Sequence, residues 1–510
     1  MKNLLVLMTL ILCSYFSVAQ TENIPTMKTQ KGFAKIDFLS LKMPETNILD
    51  EPNMGFMGAH YNLYLNDNFY TGAGIYGSIT GKRGGFFTLG VNAGFKKNIT
   101  EKLYIDTGFH FGGGGGAGAP DGGGAFILPH VNLGYNFNTF SLNAGWSYVD
   151  FFDKGLIKGN QLNISLEIPL NFNYSNDTEI KSTFSSEDLN ASSWKQKTKK
   201  TSVMLHFNNL KVTKAKNNTE IIEGKTIRLA GFEFANYLTK NWFTFLKVDG
   251  AYNGIRGGYM DVLLGAGYQF SFNKNNTNIL VKLGAGAGGG GGVDSDGGFM
   301  LYPDISIEQK VFDNIYLSLN KGYLLTPSRV FNSSTYGLGL KYYVERNGSF
   351  SNDKNFSNGN FKGIEVIVKQ DWYFNAKRMT EPTEDMHQIS LQFNLNLNKY
   401  LFIAGQTSFA NFGNAGAYAE GLIGFGLKTA NLKIPNTSFF AQVLGGAAGG
   451  GNISTGEGFI IKPSLGLDYR INKMLSLRSA LGYVASKGGS LSSPFINVGL
   501  KYSFSFLKMK

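Results

Sequence analysis

The chain has 510 residues and a formal net charge of +12, with 66 glycines, 42 phenylalanines, 25 tyrosines, 12 prolines and one cysteine. A single cysteine excludes a disulfide scaffold and a thiolate metal site. The basic residues are scattered, apart from Lys195, Lys197, Lys199 and Lys200, which speaks against a nucleic-acid partner.

The first residues, MKNLLVLMTLILCSYFSVAQ, carry one lysine, an apolar run from Leu4 to Leu12 and a small-residue site at Ser17-Val18-Ala19. This reads as a secretory signal peptide, residues 1–19, cleaved after Ala19. The lone Cys13 lies within it. Lipidation at Cys13 is the weaker reading, because Leu12 is bulky for that motif. No later window of 18 residues is apolar enough for a helical membrane span.

Period-2 alternation then runs through nearly the whole chain. Phe87, Leu89, Val91, Ala93 and Phe95 share one face, and Leu162, Ile164, Leu166, Ile168 and Leu170 another. Such alternation predicts half-buried β-strands. The strands are long, and their second face is rich in Gly, Asn and Ser. Aromatic residues sit at the short turns, as in Asn68-Phe69-Tyr70, Asn241-Trp242-Phe243 and Asn398-Lys399-Tyr400. Those features predict an all-β, antiparallel transmembrane β-barrel.

The pattern occurs in triplicate. Glycine runs at 112–124, 288–298 and 449–458 are each followed five residues on by Pro129, Pro303 or Pro463. Each is followed later by a Gly-aromatic pair, Gly145-Trp146, Gly322-Tyr323 or Gly482-Tyr483. The expected domains are repeat one at 20–173, repeat two at 202–346 and repeat three at 363–510, of eight strands each. Three tandem small barrels are the favoured arrangement, and one 24-stranded barrel is the alternative. The polar stretches 174–201 and 347–362 lack alternation and read as flexible periplasmic linkers. By strand parity the glycine-rich hairpins face the cell surface, with Gly114, Asp121, Asp294, Asp296 and Glu457 in exposed loops.

The chain ends NVGLKYSFSFLKMK, with Val498, Leu500, Tyr502, Phe504 and Phe506 on one face. This end resembles the aromatic-rich final strand of Gram-negative outer-membrane β-barrel proteins, although four residues follow Phe506. The resemblance implies an outer-membrane location and contact with outer-membrane lipid and lipopolysaccharide.

Chemistry is sparse. A phosphate-binding loop needs a helix after the glycines, and here a strand follows. Two carboxylates, Asp294 and Asp296, do not fill a calcium shell, so no metal and no cofactor is expected. Folding each glycine hairpin symmetrically sets Asp106 across from His130, Lys282 from Asp304 and Gln442 from Ser464. The acid precedes the hairpin in repeat one and follows it in repeat two, while the third copy is neutral. Polar pairs that swap in this way stabilise an interior, whereas a catalytic dyad keeps its roles in place. The expected function is therefore non-enzymatic: a structural or surface-binding outer-membrane barrel. A wide channel for polar solutes is one alternative. A lipid hydrolase or acyltransferase built on His110, His130, Asp106 and Glu167 of repeat one is the other.

Overall fold

A computed structural model describes residues 23–45, 48, 50–177, 182–216, 221–429 and 434–510. The expected signal peptide and Cys13 lie outside the described residues.

Three sets of eight strands account for most of it. The first set is β1 (Gly32–Leu41), β2 (Met54–Tyr64), β3 (Phe69–Thr80), β4 (Phe87–Asn98), β5 (Leu103–Gly115), β6 (Phe126–Asn136), β7 (Ser141–Phe151) and β8 (Lys158–Pro169). The second is β9 (Lys199–Ala215), β10 (Thr226–Tyr237), β11 (Trp242–Asn253), β12 (Met260–Phe272), β13 (Thr277–Gly289), β14 (Phe299–Phe312), β15 (Ile315–Leu325) and β16 (Phe331–Arg346). The third is β17 (Asn358–Ala376), β18 (Glu384–Asn396), β19 (Leu401–Phe412), β20 (Ala419–Lys428), β21 (Thr437–Gly449), β22 (Phe459–Arg470), β23 (Leu475–Ser486) and β24 (Ser492–Met509).

Neighbours in sequence pair antiparallel within each set. β1 also pairs with β8, β9 with β16, and β17 with β24. The strands thus close in eights rather than as one ring of 24. Closure satisfies the backbone groups that an edge strand would leave bare.

Alternation sorts the side chains between two surroundings. Inside each barrel, polar and ionic residues fill the middle. An apolar cluster fills the loop end, with Phe56, Phe86, Phe126 and Phe151 in barrel one. Tyr259, Met300 and Phe331 take that place in barrel two, and Tyr373, Tyr418 and Phe495 in barrel three. Outside, apolar residues are left uncovered: Leu162 is 79 % exposed, Phe207 61 % and Leu481 64 %.

The outer faces that meet one another form a shared core. Phe87 and Leu89 of barrel one, Val262 and Ala287 of barrel two, and Phe409 of barrel three belong to one buried cluster. The three barrels therefore pack side by side around a common apolar seam.

The described parts of the stretch 174–201, expected to be a flexible linker, residues 174–177 and 182–201, are folded onto this body. Residues 183–185 pair with 358–360 at the start of β17. A short helix, α1 (Ser186–Ala191), follows, with Ser185 capping the Asp188 amide and Glu187 and Asp188 in the first turn. Phe184, Leu189 and Trp194 are buried against Phe361, Leu507 and Met509. The Trp194 indole donates to the Pro25 carbonyl at 2.7 Å. The second linker takes part as well, since Phe350 N–H donates to Gln196 and Ser349 N–H to Trp194. Lack of alternation ruled out a barrel strand here. It did not rule out three apolar anchors, and burying them offsets the cost of ordering the segment.

Candidate functional site: barrel interiors and glycine junctions

Barrel two shows how the interior is built. Lys282 on β13 and Asp304 on β14 are direct cross-strand partners. The Lys282 ammonium lies 3.0 Å from Asp304 and 2.8 Å from Glu233 of β10. Asp304 also accepts from Tyr302, Ser306 and Asn320. Lys341 on β16 continues the network, 2.8 Å from Glu308 and 3.6 Å from Glu233. Lys247 bridges Asp249 and Asp261, and His206 meets Asp249. Each charge is held by an opposite charge, as a buried ion pair requires.

Barrel three repeats the scheme with other residues. Gln442 and Ser464 are cross-strand partners, and Gln442 accepts from Gln392 at 3.0 Å. The charges sit elsewhere. Lys462 lies 3.1 Å from both Asp371 and Glu420, and Asp468 holds Arg478 and Lys501 at 2.7 Å each.

Barrel one differs in register from the sequence reading. Asp106 pairs with Asn132, and His130 with Gly108. The closing bond of the hairpin, from Gly114 N–H to Gly124 carbonyl, sets that register. A two-residue offset keeps both side chains on the inner face. The His130 ring still comes within 3.5 Å of Asp106, whose other oxygen accepts from Tyr70 at 2.8 Å. Asp37 and His60 are 3.1 Å apart, and His110 meets Asn92 at 2.5 Å. A space of about 20 Å³, room for about one water molecule, lies among Lys35, Asp37, His60, His110 and His130. His110 and His130 are thus enclosed by the barrel wall and turned away from its outer surface.

Sequence reasoning missed Glu233, Lys341, Glu308, Asp371, Glu420 and Asp468. The signal was present. Lys341 stands between Leu340 and Tyr342 in an alternating strand, so parity alone sends its ammonium inward.

The glycine runs occupy the junctions between barrels. Gly84 N–H donates to the Asp296 carbonyl at 2.8 Å, Gly257 N–H to Gly456 at 2.9 Å, and Gly416 N–H to Gly122 at 3.1 Å. The second barrel's hairpin thus docks on the first, the third's on the second, and the first's on the third. The relation is cyclic, and it closes. The three acceptors share a positive φ, at 57° for Asp296, 61° for Gly122 and 64° for Gly456. A Cβ on Gly257 would stand 2.6 Å from the Ala448 carbonyl and 2.7 Å from Thr455 Oγ1, and one on Gly416 would stand 2.8 Å from Gly124. Glycine is needed here because two backbones approach closely.

The loops expected at the surface are therefore largely interface. Gly114 and Asp121 are buried, Asp294 and Asp296 are partly buried, and Glu457 is exposed. Asp296 is 2.8 Å from Lys82 of barrel one, and Glu457 accepts from Asn253 of barrel two. Asp294 caps the Asp296 amide at 2.8 Å. Asp121 accepts from Gly116 N–H at 2.8 Å, and burial pushes its carboxyl up to about 7.

The geometry defines an all-β protein of closed, antiparallel eight-stranded barrels with filled interiors. No family model matches the sequence, and no curated protein matches it. Among solved structures, Pseudomonas aeruginosa OpdQ is similar at 9 % identity, covering 94 % of this chain and 98 % of that one, with a TM-score of 0.21. The ferric enterobactin receptor PfeA of the same species, as a mutant in complex with enterobactin, covers 93 % of this chain and 81 % of its own at 10 % identity and TM-score 0.28. P. aeruginosa OccK11 (OpdR) covers 94 % and 96 % at 10 % identity and TM-score 0.21. Values this low do not establish a shared arrangement, and the architecture rests on the strand pairings.

Proposed function

We propose that the chain is an integral outer-membrane protein of a Gram-negative cell. In this reading three homologous eight-stranded barrels act as one rigid, non-catalytic membrane body that presents its loop end for binding. The observation that carries it is the uncovered apolar surface. Along β8 and at the residue just past its end, Leu162, Ile164, Ile168 and Leu170 all face outward and are exposed. They cover roughly 26 Å of strand at ~3.3 Å per residue, which a tilted strand brings near the apolar band of such barrels. Comparable rows run along β15, with Leu317 and Leu319, and along β24, with Ile496, Val498 and Leu500. Exposed Phe137, Phe140, Trp242, Phe312 and Tyr400 lie at the short turns, where an interfacial girdle belongs. So much apolar area is costly in water and favourable in lipid.

The test is carbonate extraction of membranes, followed by electrophoresis with and without boiling. Retention in the outer-membrane pellet and a heat-dependent mobility shift support the reading. Release of the protein into the supernatant overturns it.

A second reading, a channel for polar solutes, draws on the polar columns inside the barrels, such as Glu233-Lys282-Asp304. Passage would require those ion pairs to part. Stepwise conductance of the purified protein in planar bilayers decides for the channel, and a silent bilayer decides for the structural body. A lipid-modifying role draws on His130 beside Asp106, and an unchanged lipid A mass in expressing cells counts against it.

A further inference from the structure

The seam between barrels two and three carries an unusual row of charge. Lys199 of β9 is the direct cross-strand partner of Arg346 of β16. Arg346 is in turn the partner of Lys508 of β24. By alternation all three project to the outer face, the face that carries Val203 and Leu205 on β9, Leu338 and Leu340 on β16, and Val498 and Leu500 on β24. Lys362 of β17 lies on the same side, two positions from the partner of Lys508. Like charges set directly opposite each other across a sheet repel. Inside the barrels Lys247, Lys282, Lys341 and Lys462 each meet a carboxylate, while Lys200 meets the Gln269 side-chain oxygen. Among the described residues none of Lys199, Arg346, Lys362 and Lys508 is ion-paired. Arg346 donates to Thr201 Oγ1 at 3.3 Å and, with the Asn347 amide turned over so that its oxygen faces the guanidinium, to that oxygen at 2.6 Å; both partners are uncharged. Lys508 donates to the Tyr342 hydroxyl, and its ammonium sits 4.8 Å from that ring.

The place of this row matters as much as its charge. It lies at the turn end, just beyond the exposed apolar residues of the same strands. Lysine and arginine are costly on the lipid face at mid-membrane and nearly free at the interface. The interface is also where phosphodiesters stand, and a guanidinium between two ammonium groups suits a phosphate. Asn173, just past barrel one, donates to the Asn347 carbonyl at 3.4 Å, so the chain leaving barrel one borders the site.

We propose that Lys199, Arg346 and Lys508, with Lys362 beside them, bind the phosphate of one glycerophospholipid from the leaflet at the turn end. Its acyl chains run along Val203, Leu205, Leu338 and Leu340. The proposal rests on the membrane reading above. The lipid supplies the anion that the row of cations lacks and ties barrels two and three at the one position where, among the described residues, their strands pair.

The experiment uses the full-length protein, purified in detergent after its recovery from the membrane pellet, so failure of the membrane reading shows at that earlier step. Native mass spectrometry measures binding of dioleoyl phosphatidylglycerol, of dioleoylglycerol and of inorganic phosphate. The parent should hold one phosphatidylglycerol per chain, bind dioleoylglycerol far more weakly and keep its lipid in excess inorganic phosphate. K199Q/R346Q/K508Q should lose about tenfold or more in lipid affinity. The charge-preserving K199R/R346K/K508R should retain it, which keeps the test decisive if the neutral variant folds poorly. Equal phosphatidylglycerol binding by parent and neutral variant overturns the proposal. Equal binding of dioleoylglycerol overturns it too. Displacement of the lipid by inorganic phosphate would mean a free-anion site and overturns the lipid assignment.

Discussion

The backbone amide of Gly84 donates to the carbonyl of Asp296 at 2.8 Å, and in doing so joins two separate barrels. Its equivalents at Gly257 and Gly416 complete a ring of three. The glycine runs are therefore contact surfaces, and their sensitivity to substitution can be measured.

Gly257→Val should destabilise the assembly by about 1–3 kcal/mol, the usual cost of overpacking. A Cβ there meets the backbone of the neighbouring hairpin, and backbone does not yield as a flexible side chain would. Gly405→Ala is the control, because a Cβ at that position has nothing within 4 Å. Thermal melting in detergent should show a clear fall for Gly257→Val and none for Gly405→Ala. Equal melting curves would remove the close-approach argument.

Lys282→Ala should cost about 3–5 kcal/mol, since it leaves Glu233 and Asp304 buried without their shared cation. The charge-reversed double variant Lys282→Asp/Asp304→Lys tests the geometry further. A two-residue pair would recover stability on reversal. Here Glu233 is a third member, and reversal brings a second carboxylate beside it. The double variant is expected to stay as unstable as the single one. Full recovery would mean that Glu233 does not share the site.

Asp121 gives a pH dependence with a definite sign. Burial raises its carboxyl from the ordinary aspartate value to about 7 in the folded protein. The folded state then binds more protons than the unfolded state between about pH 4 and about pH 7. Stability from this residue is complete at the acidic end and is lost as pH rises through about 7. Asp121→Asn keeps an oxygen for the Gly116 amide and removes the titration. Denaturant midpoints across this range should fall more steeply for the parent than for Asp121→Asn. Parallel profiles would contradict the assignment.

Trp194→Ala should cost about 3–5 kcal/mol locally, as large core truncations do. The loss should appear as faster trypsin cleavage at the exposed Lys195 and Lys197, with the barrels themselves still resistant. Unchanged cleavage would mean that the linker is held by its strand pairing with β17 alone.

Much of this protein was determined by sequence alone. Alternation at Phe87 to Phe95 or Leu162 to Leu170 dictates extended chain, because only a two-residue period puts every apolar side chain on one face. Parity then fixes Lys282, Asp304, Gln442 and Ser464 inside a closed barrel. It tolerates the two-residue shift between Asp106 and His130 without changing their face. The tertiary structure decided the rest. The local pattern of a strand is the same whether β8 returns to β1 or goes on to β9, so closure in eights rests on long-range pairing. A glycine reports only that a side chain is missing. Whether the vacant volume is filled by water or by a neighbouring backbone depends on what docks there, and for Gly84, Gly257 and Gly416 that is a hairpin about two hundred residues away or more, at Asp296, Gly456 and Gly122 respectively. The same holds for Glu233 beside Lys282 and for Arg346 between Lys199 and Lys508. Charge is written in sequence, but whether it is paired is set by which strands meet.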